Sequence, residues 1–225
     1  MGYIDLHTHS LFSDGVLLPS ELVYRAKVNG YDTIALTDHG DYSTFDFIIP
    51  RISKITASLS SAYGLRVLVG IEITYIPPPL IAEAVRVCRK LGAEVVIVHG
   101  ETPAESVPPG TNHAAILAGA DIVAHPGHIS EDDVKLARDK GVCLEITTRK
   151  GHNAGNRHVA RLAKKHGASL IFNTDSHLPE NLLCPPIIQT TLKMSGLTMS
   201  DFITMQTQAR GIINGNNDSS RSQKK

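Results

Sequence analysis

Residues 67–74, VLVGIEIT, carry a single carboxylate, Glu72, near the end of an otherwise apolar run rich in Val and Ile. A run of this kind is a strand, and one that is apolar on both of its alternating faces belongs in a parallel sheet covered on both sides. A lone buried carboxylate costs several kcal/mol in order of magnitude unless it is paired or bound to a cation. The other strands offer mainly histidines at the same level, so a metal is a better partner for Glu72 than a buried Arg or Lys.

Runs of the same kind recur at 3–9, 33–39, 66–74, 94–99, 121–125, 142–148 and 169–175. Between them lie amphipathic segments with clear stops. PSELVYRAKVNG (19–30) sets Leu22, Val23 and Ala26 on one face and ends at Gly30, and SEDDVKLARDKG (130–141) offers Ser130 as N-cap with Asp133 three residues on, ending at Gly141. Segments 80–91 and 156–166 stop before Gly92 and Gly167, and GLTMSDFITMQTQAR (196–210) reads as a last helix. Strand and helix alternation predicts an α/β fold whose parallel sheet is either doubly wound or closed. No GxGxxG follows the first strand, which argues against dinucleotide binding.

The polar residues decide between the two. His7 and His9 end the first strand, Asp38 and His39 the second, Glu72 the third, His99 the fourth, His125 the fifth, Glu145 the sixth, and Asp175 with His177 the seventh. An open sheet spreads its strand ends along a line, whereas a (β/α) barrel gathers them on one rim. The expectation is a seven-stranded, TIM-like barrel over residues 1–210 with a site at the C-terminal rim, followed by a polar, disordered tail over 211–225.

The chain has 225 residues, with Lys plus Arg and Asp plus Glu both at 22, which removes a global electrostatic case for a polynucleotide or an anionic membrane. Cys88, Cys143 and Cys184 are widely spaced, and an odd count without CxxC fits a reducing compartment. A strand beginning at Tyr3 leaves no room for a signal peptide, and no apolar run approaches the roughly 20 residues of a membrane span. The reading expects a cytoplasmic protein without a membrane partner.

Among the candidates, His7 and His9 share a strand face, and Asp175 with His177 repeats that spacing. Asp38 and His39 are consecutive, so His39 is taken as the inward ligand and Asp38 as the acceptor that orients a histidine. Glu145 is open between ligand and structural hydrogen bonder. His166 reads as a helix-dipole partner and His158 as solvated. In TRKGHN (148–153), Arg149, Lys150 and His152 form either a solvated turn or an anion clamp. His128 is a further candidate for the surroundings of the ligands or substrate, as are Thr111, Asn112 and His113 in the 105–112 loop and just beyond it.

With those positions assembled, the chain resembles the PHP family of polymerase and histidinol-phosphatase domains over roughly residues 3–180. The resemblance rests on DLHTHSLFSDG (5–15), ALTDH (35–39), AHPG (124–127) and NTDSH (173–177), with GIEI and VIVHG between them. It implies a distorted seven-stranded barrel binding two to three divalent metal ions. One ion would take His7, His9, Glu72 and Asp175; a second Glu72, His99 and His125; a third Asp14, His39 and His177. Many relatives have histidine where this chain has Asp14. A donor set of nitrogen and oxygen suits zinc, manganese or iron.

The function so implied is metal-dependent hydrolysis of a small phosphorylated metabolite, with histidinol phosphate suggested by the resemblance alone. Glu72 would bridge two ions, Arg149 and Lys150 would neutralise phosphoryl charge, and His177 or a metal-bound water would help the leaving alkoxide depart. A phosphodiester-cleaving nuclease is the nearest alternative, disfavoured by zero net charge and few aromatics for base stacking. An amidohydrolase-like enzyme and a non-catalytic metal-binding module rank below it.

Overall fold

The structure, a computed structural model, describes residues 2–222. Strands β1 (Tyr3–Asp5), β2 (Tyr31–Leu36), β3 (His39–Gly40), β4 (Arg66–Ile73), β5 (Val95–His99), β6 (Ile122–Ala124), β7 (Cys143–Thr147) and β8 (Leu170–Asn173) all pair in parallel. β2 and β3 are one strand position interrupted at Thr37 and Asp38, since Leu36 lies opposite Val69 and His39 opposite Glu72 on the same neighbour. Seven positions result, in the order β1, β2, β4, β5, β6, β7, β8. The ring nearly closes just beyond the ends of β1 and β8, where Asp175 N–H donates to His7 O at 2.9 Å and His9 N–H to Ser176 O at 2.9 Å. The expected seven-stranded TIM-like barrel is therefore the fold.

Helices α1 (Pro19–Val28), α2 (Phe45–Tyr63), α3 (Pro78–Lys90), α4 (Thr111–Leu117), α5 (Glu131–Lys140), α6 (Asn156–His166), α7 (Pro185–Ser195) and α8 (Met199–Ser222) follow the strands. α5 shows why its ends were readable: the Ser130 hydroxyl accepts from Asp133 N–H at 3.1 Å, and Gly141 closes the helix at φ +70°. α4 departs from the expected loop. Thr111 and Asn112 open it, and the Asn112 side chain is spent on Glu101 N and Pro126 O, while His113 pairs with Asp133 at 2.7 Å. Those three residues support the fold outside the ligand cluster. No helix among the described residues is long and apolar enough to cross a membrane.

The apolar residues sort into two layers by the two-residue period of a strand. Along β4, Val67, Val69, Ile71 and Ile73 pack outward under the helices, while Leu68 joins Ala35, Val95, Ile97, Ile122, Ala124, Cys143 and Ile171 in the barrel interior. Gly70 continues the inward row between Leu68 and Glu72, and a Cβ there would sit 2.4 Å from Thr37 Cγ2, so only glycine fits.

The lower end of the barrel is stopped by α8, whose Ala209 and Ile213 belong to the interior cluster. The Gln206 amide brackets Ile4, accepting from its N–H at 2.7 Å and donating to its carbonyl at 2.9 Å. The expected tail starts at residue 211. The helix runs on past Gly211, because Ile212 and Ile213 are apolar and Ile213 is buried at the barrel floor. Residues 223–225 of that expected tail lie outside the described residues.

Candidate metal centre

The inward row of each strand continues upward into the rim. His39 follows Ala35 and Thr37, Glu72 follows Leu68 and Gly70, His99 follows Val95 and Ile97, Glu145 follows Cys143, and Asp175 follows Ile171 and Asn173. Period two thus aims five polar residues into one space. His125 breaks the rule, since Ala124 is the inward residue of β6. Its backbone lies at φ +27°, and with Tyr75 (+58°) and Asp175 (+54°) it is one of three non-glycine residues on the left-handed side among the described residues. Two of these three face the cluster, where backbone strain is commonly stored at functional sites.

The side chains converge in three overlapping groups. His7 Nε2 lies 3.3 Å from Glu72 Oε2 and 3.7 Å from Asp175 Oδ1; His9 Nε2 lies 3.5 and 3.2 Å from the same two oxygens. On the other side of Glu72, His125 Nε2 is 3.7 Å from Glu72 Oε1 and 3.5 Å from Asp175 Oδ2, and its ring centroid is 4.5 Å from that of His99. Toward solvent, Asp14 Oδ1 stands 3.0 Å from His177 Nε2 and 3.6 Å from His39 Nε2. The groups His7, His9 and Asp175, then His99, His125 and His152, then His9, Asp14, His39 and His177 can each hold a metal ion. The nine residues expected as ligands are brought together; His152 joins the second group, where only a substrate or outer role was expected.

Behind the imidazoles lies a layer that fixes their tautomers. His7 Nδ1 donates to Glu145 Oε1 at 2.8 Å, His39 Nδ1 lies 2.8 Å from Thr74 Oγ1, His99 Nδ1 donates to Gly100 O at 3.1 Å, and His177 Nδ1 to Asp175 O at 3.0 Å. In each case Nε2 is the ring nitrogen turned toward the centre. Glu145 also accepts from Asn173 Nδ2 at 2.8 Å and His125 N–H at 3.0 Å. With both oxygens so occupied, Glu145 orients His7 and β6, although its position beside His7 and His125 would also suit a ligand. Asp38 differs from its expected part: it accepts from Ser10 N at 2.7 Å and from the hydroxyls of Ser10 and Ser13 at 2.8 Å each, and so holds the loop between His9 and Asp14 instead of a histidine.

The field in the cluster is strong. Against burial, the charges of His7 and His39 hold Glu72 well below the carboxylate range. Burial pushes Asp175 up to about 7, opposed by His7 and reinforced by Glu72. Burial drives His9 and His125 well below the imidazole range, with His39 and His177 adding to it at His9 and His99 at His125. His152 is pushed down to about 4 by burial, Arg149 and His99. Several of these atoms are buried with no hydrogen-bond partner, namely His7 Nε2, His9 Nε2, both oxygens of Glu72, Asp175 Oδ1 and His177 Nε2. Unsatisfied buried acceptors are costly, and here they face one another, so divalent cations fit the donor set.

Arg149 Nε lies 3.6 Å from Asp175 Oδ2 and its Nη1 contacts His177 Nδ1 and, at 3.3 Å, Asp175 O. It lines a cleft of about 490 Å³ with Lys150, Asp14, His177 and Asn181. His128 is exposed against His158, away from the cluster, and His158 is tied to Ile129 O at 2.8 Å instead of being solvated. His166 ends α6 as expected and meets Glu131 at 2.7 Å. Sequence reasoning passed over Asp5, which accepts from Thr174 Oγ1 at 2.6 Å and Tyr31 OH at 3.1 Å, and whose carboxyl burial pushes up to about 6. It also passed over Glu105, 3.6 Å from His99 Nε2. Asp5 had a signal in its place within the opening motif; Glu105, in a Pro-rich loop, had none.

A model of the PHP domain matches residues 5–121. An uncharacterized protein of Methanocaldococcus jannaschii is 40% identical over 196 residues, covering 86% of this chain and 90% of its own length. A probable phosphatase of Acetivibrio thermocellus is 25% identical over 195 residues, covering 78% of this chain and 79% of its own. Among solved structures, a chain in archaeal ribonuclease P with mature tRNA superposes with a TM-score of 0.74 at 17% identity, covering 97% of this chain and 93% of that one, a likeness of fold. The family model and the full-length relative together establish that this chain belongs to the PHP domain family.

Proposed function

We propose that the protein is a metal-dependent phosphoesterase acting on a small phosphomonoester. The observation that carries this reading is the convergence of His7, His9, Glu72 and Asp175 through buried atoms that lack hydrogen-bond partners, with His125 Nε2 3.7 Å from Glu72 Oε1. His7, His9, Glu72 and Asp175 would hold one cation; Glu72, His99 and His125 a second; Asp14, His39 and His177 a third. Bound divalent cations supply Lewis-acid stabilisation of phosphoryl charge and acidify water. The probable-phosphatase name of the Acetivibrio relative supports the same reaction class.

The chain's own residues do the remainder. Arg149, about one-third exposed at the cleft, would offer phosphoryl oxygens the guanidinium donors not turned onto Asp175 and His177. Lys150, exposed on the same cleft, adds a mobile positive charge. The two roles expected of His177 exclude each other, because a nitrogen that binds a cation has no proton to give. Its Nε2 stands 3.0 Å from Asp14, which favours the ligand role, and the leaving oxygen then takes its proton from water.

Elemental analysis of the purified protein, joined to a phosphate-release screen with and without chelator, tests site and chemistry together. The screen compares histidinol phosphate, nucleoside monophosphates and short oligonucleotides at equal metal loading. Chelator-sensitive release from monoesters is the expected result. Cleavage of oligonucleotides alone would move the protein to the nuclease alternative, and metal-free protein with no turnover would overturn the proposal.

A further inference from the structure

We propose that His152 is a direct ligand of the second cation, completing a three-imidazole site with His99 and His125 that takes zinc ahead of manganese. This rests on the metal-dependent reading above. His152 opens a short turn (His152–Gly155) straight after Gly151, whose φ of +94° lets the chain fold back over the rim. Lys150 and Gly151 are exposed, yet His152 is buried. Its ring centroid lies 4.3 Å from that of His125 and 6.0 Å from that of His99, and one ring nitrogen from each of the three falls within 4.8 Å of the others.

The ordinary alternative is a buried histidine satisfied by a backbone carbonyl, as His158 is by Ile129. His152 does not follow it, because its Nδ1 is buried with no hydrogen-bond partner. The other alternative, a clamp on the substrate's anion with Arg149 and Lys150, places it in their cleft. That cleft is lined by Arg149 and Lys150 but not by His152, which turns instead onto the two imidazoles. His99 spends Nδ1 on Gly100 O, which leaves Nε2, 3.6 Å from Glu105 Oε2, as its ligating atom. With Glu72 the site offers three nitrogens and one oxygen. The neighbouring group of His7, His9, Glu72 and Asp175 offers two of each. Imidazole-rich sites suit zinc, and carboxylate-rich sites suit manganese better.

Zinc titration of the metal-stripped full chain against a chromophoric chelator, with stoichiometry from elemental analysis, tests the assignment. His152→Ala should weaken one zinc equivalent by about 100-fold or more, the upper end of what losing a mere orienting partner costs. Manganese binding by the carboxylate-rich group should be unchanged, and His128→Ala should match the parent throughout. His152→Cys with cobalt should show thiolate-to-metal charge-transfer absorption, a readout that survives any folding defect in the alanine variant. Parent-like zinc binding in His152→Ala, or no such band in His152→Cys, would overturn the proposal. A parent chain that binds no zinc or manganese at all would overturn the hydrolase reading itself.

Discussion

Replacing Glu145 by Gln separates a residue that orients a ligand from one that is a ligand. The carboxylate is fully buried and accepts three hydrogen bonds, from His7 Nδ1 and Asn173 Nδ2 on one oxygen and from the His125 N–H on the other. A glutamine of the same shape has one oxygen. Its amide nitrogen will settle opposite the His125 N–H, since the reverse placement loses two bonds instead of one. The two retained bonds lose their charge assistance at about 1 kcal/mol each, and a buried N–H left facing a donor costs about 1–3 kcal/mol. Removing a buried charge offsets part of this, for a net destabilisation of about 2–4 kcal/mol. Urea unfolding of the metal-stripped protein reads the difference as a lower midpoint at constant slope. Zinc affinity should fall about 10–100-fold while stoichiometry stays whole, as for loss of an orienting partner. A parent-like midpoint with parent-like zinc affinity would refute the reasoning; loss of a whole zinc equivalent would make Glu145 a ligand.

Glu72→Ala removes the carboxylate set between the first two cation groups, and phosphate release should fall to background while far-ultraviolet dichroism is unchanged; retained turnover and metal content would refute the shared role. Metal uptake should expel protons. Against burial, Glu72 foremost holds His39 at about 9, and Glu145, Glu72 and Asp175 hold His7 well above the imidazole range. Both must lose a proton to bind, so affinity falls as pH falls below about 9. Calorimetry in two buffers of different ionisation enthalpy checks this, and buffer-independent heats would contradict it. Alkylation of the folded protein at mildly alkaline pH should label Cys184 alone by mass spectrometry, because burial pushes the Cys88 and Cys143 thiols up to about 12. Ile213→Ala should destabilise by about 2–5 kcal/mol in urea unfolding if the last helix stops the barrel floor as described; an unchanged midpoint would return that segment to a loose tail.

What could be read from the chain alone was whatever depends on near neighbours in sequence. An inward row such as Leu68, Gly70, Glu72 or Val95, Ile97, His99 is set by the two-residue period, so a polar residue at its top is aimed at the centre before anything else is known. The same logic found the helix stops at Gly141 and Gly167, where a local positive φ is all that is needed. It failed where position depends on the distant chain. β1 ends at Asp5 and not at His9, because Leu6 N–H finds Asn173 Oδ1 at 2.9 Å in place of a regular ladder partner. α2 hides behind Pro50, which sits inside the helix while Ile48, Ile49 and Ile52 bury its face.

The orienting layer shows the limit most sharply. Asp5, Asp38 and Glu145 are all buried carboxylates near strand ends, and nothing in their residue type separates them from Glu72 or Asp175. What separates them is the number of donors that fold against each one. Asp5 meets Thr174 from 169 residues away, and Glu145 meets His7 from 138. Glu72 is surrounded by imidazole nitrogens, His39 Nδ1 at 2.7 Å and Nε2 of His7, His9 and His125 at 3.3–3.7 Å, with both oxygens lacking hydrogen-bond geometry. A carboxylate whose lone pairs are filled by N–H and O–H groups is already satisfied and serves to aim its neighbours. One left facing other acceptors can be stable only with cations between them, and that distinction exists only once the barrel has closed.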